Sequence, residues 1–414
     1  VTVTAHWGTF DAEAHWRPGD LAELPAVGNR QGRLQVESMD ELLVCLCAPG
    51  DPLLTRHPVP QRLREAWHDA GLRPSWHQVR GDGATAETAI LTDPEALAVV
   101  AGSAAVAPYA VLPATAALAT ATGHTGSLPP VATVARVNSK AFSDDLVHRL
   151  GLPGAGRVVA STAELRRAVE EIGGPAMVKD PYGVGGRGIL EIRSPAVLET
   201  VIGFLQRQAG RRTELVVQPR WPKRADLSGY VRISRAGQVT PIGIQVAHHQ
   251  GLSHTGFGPL PAGLLDADRY TETLLLAAAE LAATGYTGPA GFDSLLCDDG
   301  GLIPILEINA RVTVGMLSAA LDDRAREHGL RACLWRTRLA VPDGAGVDDL
   351  LDELHRDGLL YRGGPEPGVL PLTGAALRPP RARLECALFC PPEETGRWRD
   401  RLRTAAGRMA AVLR

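Results

Sequence analysis

An α/β (α+β) chain of two or three domains is what the sequence predicts, and three observations predict it. At 414 residues the chain exceeds what one core usually holds, domains running to about 100–200 residues each. Between Asn138 and Asp180 the local patterns alternate as helix, strand, helix, strand. From Gly291 to Arg311 two strand-like runs flank Asp298-Asp299-Gly300-Gly301, which is hairpin-turn chemistry.

In order from the start, residues 1–137 read as mixed α/β. The uninterrupted apolar run Leu42–Cys47 is expected to be a buried parallel strand. Pro58–Ala70 is expected to be a short amphipathic helix with Leu63, Ala66 and Trp67 on its apolar face. Ala96–Gly123 carries no charge, but Gly102, Ser103, Pro108 and Pro113 break it, so it reads as domain interior rather than a membrane span. No phosphate-binding motif of the GxxxxGK[ST] or GxGxxG kind occurs in this part, which is assigned a scaffold role.

A helix then starts at Asn138-Ser139, either of which can cap it, and stops at Gly151 with Pro153 beyond. Lys140 lies in its first turn. Val158-Val159 is a short strand, and Ser161-Thr162-Ala163-Glu164 is a capping box opening a helix that ends at Gly173-Gly174. Pro175–Asp180 is a strand carrying Lys179, followed by PYGVGGRG. Gly183, Gly185 and Gly188 satisfy G-x-G-x-x-G, with Gly186 between them. A dinucleotide site needs a helix to begin there, whereas Ile189–Ile192 is β-like. The glycines therefore join two strands, as a flap whose N–H groups can close over phosphates.

Ser194–Gln208 is a helix, and Leu215–Gln218 a buried strand running into Pro219-Arg220-Trp221-Pro222. Ser228–Ser234 and Val239–Val246 pair as a hairpin, followed by a His- and Gly-rich loop over residues 248–258. His248, His249 and His254 do not suggest zinc, because the adjacent pair diverges and no thiol or acid accompanies them in the loop. Asp266–Thr284 is a long capped helix leading into the 291–311 hairpin. There period-2 alternation turns Glu307 and Asn309 to one face, with Arg311 following on the same side. With Asp293 on the opposite strand they offer three hard oxygen ligands suited to Mg²⁺, although a solvated acidic face has the same pattern. Beyond Arg331 come a Gly/Pro-rich span (363–371), a strand Ala382–Phe389 and a basic helix Glu393–Leu413 with a solvated face.

Composition narrows the function classes. Hydrophobic residues at 45%, charged residues at 21% and a net charge of -3 give no electrostatic footprint for nucleic acid. The six cysteines (Cys45, Cys47, Cys297, Cys333, Cys386, Cys390) form no CxxC pair, which favours reduced thiols and a cytoplasmic setting. No basic segment followed by an apolar core opens the chain, so no secretory signal is expected. Lysine occurs only at positions 140, 179 and 223, against 40 arginines, and a compact ammonium on phosphate oxygens is a chemical reason to keep it.

Lys140, the Lys179 strand with its glycine flap, and the D…ExNxR of the hairpin, taken in this order, resemble the ATP-grasp superfamily over roughly residues 136–330. The tail resembles actinobacterial peptide ligases of the pheganomycin-ligase type. The resemblance implies an N-terminal open-sheet pre-ATP-grasp domain (1–135), a two-lobed ATP-grasp module (136–330, lobes about 136–215 and 216–330) and a small C-terminal extension (331–414). It implies that Lys140, Lys179, Gly183, Gly185, Gly186 and Gly188 bind nucleotide phosphates, and that Asp293, Glu307 and Asn309 hold Mg²⁺. Gln218 and Asp226 fall where adenine and ribose are read, although many members have Glu at the first position and Pro219 has no N–H to offer. Arg311 would stabilise developing charge, the turn with Thr313, Gly315 and Ser318 would seat a substrate carboxylate, and His254 or His249 would touch substrate or act as base on the incoming amine. The implied activity is an ATP-dependent ligase joining the carboxylate of an amino acid or peptide to an amine through an acyl-phosphate, with ATP and Mg²⁺ as cofactors. Its partners would be small-molecule or peptide substrates, not membrane or nucleic acid, with a homodimer left open. The alternatives are a phosphotransferase and a non-catalytic ATP-binding regulatory module.

Overall fold

The computed structural model describes residues 2–25, 32–183, 188–208, 210–250, 253–409 and 411–412. Its strands fall into three sheets that follow one another along the chain. The first holds β1 (Thr4–Trp7), β2 (Pro52–Thr55), β3 (Ser75–Gln78) and β4 (Ala105–Pro108), ordered β3-β2-β1-β4 with every pair parallel. Leu42–Cys47 is not one of its strands. Ser38–Leu46 forms a 3-10 helix instead, with Leu42, Leu43, Val44 and Cys45 all fully buried. A run buried on every side has no periodicity to separate strand from helix, and here the polar groups decide. Asp40 accepts from the Arg56 amide at 2.7 Å, and Glu41 accepts from the Gly374 and Ala375 amides at 2.5 and 3.0 Å. The helix Gln61–Asp69 buries Leu63, Ala66 and Trp67 as expected. The uncharged run becomes the helix Pro94–Ala101, β4 and the helix Pro113–Ala121. No helix among the described residues is long and apolar enough to cross a membrane.

The second sheet is antiparallel: β5 (Arg157–Val159), β6 (Ala176–Lys179), β7 (Ile189–Ile192) and β8 (Leu215–Pro219), ordered β5-β8-β6-β7. Helices Thr162–Ile172 and Pro195–Gln206 close its core, which includes Val159, Leu165, Val178, Val201 and Leu215. The Ser161 hydroxyl caps the first of these at the Glu164 amide, and Gly173 ends it at φ +66°.

The third sheet holds β9 (Lys223–Ile233), β10 (Val239–Gln250), β11 (Ser253–Pro259), β12 (Gly288–Cys297), β13 (Leu302–Asn309), β14 (Arg331–Ala340), β15 (Gly368–Pro371) and β16 (Arg381–Cys390). Their order is β13-β12-β9-β10-β11-β14-β16-β15, antiparallel throughout, and β17 (Ala411–Val412) pairs with β14. Two expectations change here. The His-rich segment is not a loop but the paired ends of β10 and β11, with His249 opposite His254 across an irregularity at His248/His249. The strands beyond residue 331 add directly to this sheet, and the last helix is Thr395–Met409, burying Trp398, Leu402, Ala405 and Ala406.

The helix Ala267–Ala283 lies on one face of the large sheet, packed so close at Gly229 that a Cβ there would stand 2.2 Å from Leu274 Cδ1. By alternation Ser228, Tyr230 and Asp293 face the other side, where the helix Val314–Arg326 begins. One apolar cluster joins the N-terminal part to this sheet, with Trp67, Leu274, Phe292 and Leu388 among its members, whereas the second sheet keeps its own.

Candidate functional site

Strand register assembles the acidic centre. Asp293 of β12 stands directly opposite Glu307 of β13 on one side and Ser228 of β9 on the other. Ser228 Oγ donates to Asp293 Oδ1 at 2.6 Å, and Asn309 Nδ2 donates to Asp293 Oδ2 at 3.0 Å. The turn that brings the strands together has Gly300 at φ +87°, a conformation side chains resist. Burial, and then the facing Glu307 charge, push the Asp293 carboxyl above its ordinary range. Two carboxylates held against each other in this way call for a cation.

Cations approach from the second sheet and the helix before it. Ser139 caps the helix Lys140–Arg149, which fixes Lys140 at its start. Lys140 Nζ reaches Glu307 Oε1 at 2.8 Å and the Gly183 carbonyl at 2.5 Å, so one ammonium ties the acidic centre to the root of the glycine flap. Lys179, last residue of β6, is almost fully buried. Burial pushes its ammonium down to about 8, against the opposing pull of Glu307. Lys179 pairs across the sheet with Ile189 of β7, so the glycine segment does join two antiparallel strands, and the dinucleotide reading is excluded on geometry. At its base the Asp180 amide donates to the Gly188 carbonyl at 2.7 Å. Gly188 (φ +72°) lies so close to Gly183 that a Cβ would meet its Cα at 3.0 Å. Gly185 and Gly186 lie outside the described residues.

Gln218, near the end of β8, is buried with Nε2 donating to the Gly154 carbonyl at 2.9 Å, while its Oε1 has no partner. A buried acceptor left open at this strand end suits the exocyclic amine of a purine. The Arg220 amide just beyond is taken by the Pro175 carbonyl at 2.9 Å, so that amide is not free for a base. Trp221 and Leu306 pack together against Leu295, Cys297 and Ile303, an apolar patch beside Glu307. Asp226 is held by Lys223 at 2.7 Å and by His249 Nδ1 at 2.9 Å. Burial opposes its ionisation, but these two hydrogen bonds keep it below the ordinary carboxylate range.

Arg311 departs from expectation. Its Nε and Nη2 bond Glu13 Oε1, Nη1 bonds Tyr109 Oη at 2.9 Å and the Val312 carbonyl at 3.0 Å, and Nη2 also bonds Asn309 Oδ1 at 3.0 Å. A guanidinium has five N–H donors, and these bonds use all of them. Arg311 therefore does not present a free donor to a phosphate; it fastens the N-terminal part to the hairpin and sets the orientation of Asn309. His254 is also not brought against the acidic centre. It stands on Phe257 at 4.2 Å between ring centroids and edge-on to His249 at 5.4 Å. Burial, and then the Arg336 charge, hold it well below the ordinary imidazole range, and its Nε2 is without a partner. Gly315 is needed where it is, because a Cβ would sit 1.7 Å from Tyr230 Oη and 3.1 Å from Phe257 Cδ1.

Sequence reasoning missed Ser228, Glu13 and Tyr109, single polar residues in no motif. Among the described residues no three His, Cys, Asp or Glu side chains gather as a metal site, so the candidate set is two carboxylates and one carboxamide.

No family model matches the chain. One curated relative, the [Butirosin acyl-carrier protein]--L-glutamate ligase of Niallia circulans, is 27% identical over 192 residues, 45% of each chain. The match thus spans less than half the length of that relative. Solved structures show the fold more fully. N5-carboxyaminoimidazole ribonucleotide synthetase of Thermus thermophilus superposes with a TM-score of 0.57 at 14% identity, covering 99% of both chains. The biotin carboxylase domain dimer of Hydrogenobacter thermophilus 2-oxoglutarate carboxylase, bound to MgADP, ADP and bicarbonate, gives 0.57 at 17% identity over 93% of this chain and 89% of that one. The architecture, a parallel N-terminal sheet followed by two antiparallel sheets, is the ATP-grasp fold.

Proposed function

We propose that this chain is an ATP-dependent ligase that phosphorylates the carboxylate of an amino acid or peptide and passes the acyl group to an amine, with ADP and phosphate as products. The observation that carries the reading is the convergence of Lys140, Lys179 and the Gly183–Gly188 root on the Asp293–Glu307–Asn309 centre. A carboxylate is a poor acyl donor, and phosphoryl transfer to it needs cations along the phosphates and a dry site. Magnesium, when bound, would neutralise β- and γ-phosphate oxygens. Asp293 and Glu307, with Asn309 Oδ1, are the residues that would hold it. That they fit is supported by the raised Asp293 carboxyl and by the Lys140 ammonium already seated on Glu307. Lys140 and Lys179 would sit on the phosphates, the flap would exclude water, Gln218 Oε1 would accept from adenine, and Asp226, once released by Lys223 and His249, would hold the ribose. Arg311 acts through Asn309 as a positioning residue.

The three domains implied by the sequence, with boundaries near residues 135 and 330, belong to this proposal, as does the setting in peptide natural-product synthesis. The Niallia circulans relative is named for joining L-glutamate to an acyl-carrier protein. That favours an amino acid as the activated acid and supports a second reading, in which a carrier-protein thiol rather than an amine receives it. The test is an incubation with Mg-ATP, the common amino acids and hydroxylamine, following ADP, AMP, phosphate and hydroxamate. ADP with a hydroxamate is expected. AMP in place of ADP would replace the acyl-phosphate with an adenylate, and turnover of ATP to a stable phosphorylated product would mean a phosphotransferase.

A further inference from the structure

On β14 and β16 lies a second group of buried charges that the phosphate chemistry does not use. Arg336 of β14 stands opposite Glu385 of β16, and Arg383 lies two residues from Glu385 on the same face. Glu385 Oε1 accepts from Arg336 Nε at 2.5 Å and from Arg383 Nε at 2.7 Å. Arg383 and Glu385 are 4% and 1% exposed, so the carboxylate that the two guanidiniums share lies away from water. The sharing is incomplete: Arg383 Nη1, Glu385 Oε2 and the nearby His254 Nε2 are all buried with no partner. Arg383 Nη2 reaches only the Met39 sulfur at 3.4 Å, and burial pushes its guanidinium down to about 10. Unsatisfied buried donors and acceptors side by side cost free energy unless a ligand or an ordered water completes them.

The cluster is continuous with the candidate site. Arg336 Nη1 bonds the His254 carbonyl at 3.4 Å, and the Arg336 and Arg311 charges both act on the Tyr109 hydroxyl. Phe257, under the His254 ring, and Tyr230, beside Asp293, both converge on Gly315.

We propose that Arg336, Arg383, Glu385 and His254 form a receptor for a free amino acid, the guanidiniums taking its unactivated carboxylate and Glu385 Oε2 accepting from its amine. One uncompensated guanidinium matches one carboxylate, and the open carboxylate oxygen beside it matches an N–H on the same small molecule. A simple acid would leave Glu385 Oε2 facing a like charge. This deepens the ligase reading, and rests on it for the use made of the bound amino acid, whether as amine acceptor or as a diacid activated at its other end.

The test is equilibrium dialysis of the full chain with Mg-ADP against the common L-amino acids, their carboxamides and their deaminated acids. At least one amino acid is expected to be retained, with its carboxamide and its deaminated acid each held about 10–100-fold more weakly. Arg336→Gln, at a side chain still 15% exposed, is expected to weaken the amino acid by a similar factor while Mg-ADP affinity stays within about twofold, which also reports that the variant is folded. Retention of no amino acid, equal retention of the carboxamide, or an Arg336→Gln chain that binds as before would each overturn the receptor. A hydroxamate assay on the unaltered chain separates the two claims. Amino-acid retention without hydroxamate leaves the receptor standing and removes the ligase; hydroxamate without the retention pattern does the reverse.

Discussion

Replacing Arg311 with Met would remove a cation whose five N–H groups are all engaged and leave Glu13, 4% exposed, as a buried carboxylate with no counter-charge. Breaking one side of such a pair costs about 3–5 kcal/mol. At roughly 2–4 °C per kcal/mol for the domain affected, the apparent melting temperature should fall by roughly 6–20 °C. Glu13→Gln should cost a comparable amount, because it strands the guanidinium. The double variant Glu13→Gln/Arg311→Met should lose clearly less than the sum of the two, since neither stranded charge remains. Differential scanning fluorimetry of the four proteins, with Mg-ADP affinity measured in parallel, reads the coupling directly. If Arg311→Met abolished turnover while its melting temperature and that of Glu13→Gln stayed unchanged, the guanidinium would belong to the reacting phosphate after all. The positioning role would then be wrong.

Glu307→Gln should lower Mg²⁺-dependent turnover at least about 100-fold while nucleotide is still bound, and undiminished turnover would remove the metal assignment. Burial holds Lys179 down to about 8, below its ordinary value, so it loses its charge as pH rises through that point. Mg-ADP affinity, followed by calorimetry from pH 7 to 9.5, should therefore decline as pH rises through about 8, and Lys179→Arg should flatten the profile. The stability sign is opposite: between about pH 8 and 10.5 the unfolded chain binds more protons at this group, so its contribution to stability rises with pH. Gly315→Ala should destabilise the chain by about 1–3 kcal/mol, through the collision with Tyr230 Oη, and Gly315→Ala/Tyr230→Phe should recover part of that loss in a urea titration.

The acidic hairpin was legible because two simple rules meet there: period-2 alternation fixes which side chains share a face, and the Asp-Gly turn fixes which strands are neighbours. The helix start at Lys140 and the strand end at Lys179 were legible through capping and through the glycines that follow the strand, whereas a site role for either came from the family resemblance. Leu42–Cys47 was not, because periodicity carries no information for a segment buried all round, and the groups that bind its polar ends sit as far away as Gly374 and Ala375. The Glu13–Arg311 pair spans 298 positions of sequence, and no local pattern in either neighbourhood announces it. The Arg383–Glu385 group did leave a trace. Within RARLECALFC three charged residues, Arg381, Arg383 and Glu385, occupy alternate positions on one face, and a strand does not bury the last two without partners.

The division of apolar clusters separates two kinds of work. The first and third sheets share a core, although the first also keeps a cluster of its own around Trp7 and Ile90; they are pinned together by Glu41 and Arg311, and carry the acidic centre and the proposed amino-acid receptor. The second sheet has its own small core and brings Lys179 and the flap. Substitutions around Glu385 therefore act on the frame that the first and third sheets share, and leave the core of the second sheet untouched. On the ligase proposal, what is joined can change without rebuilding the sheet that carries Lys179.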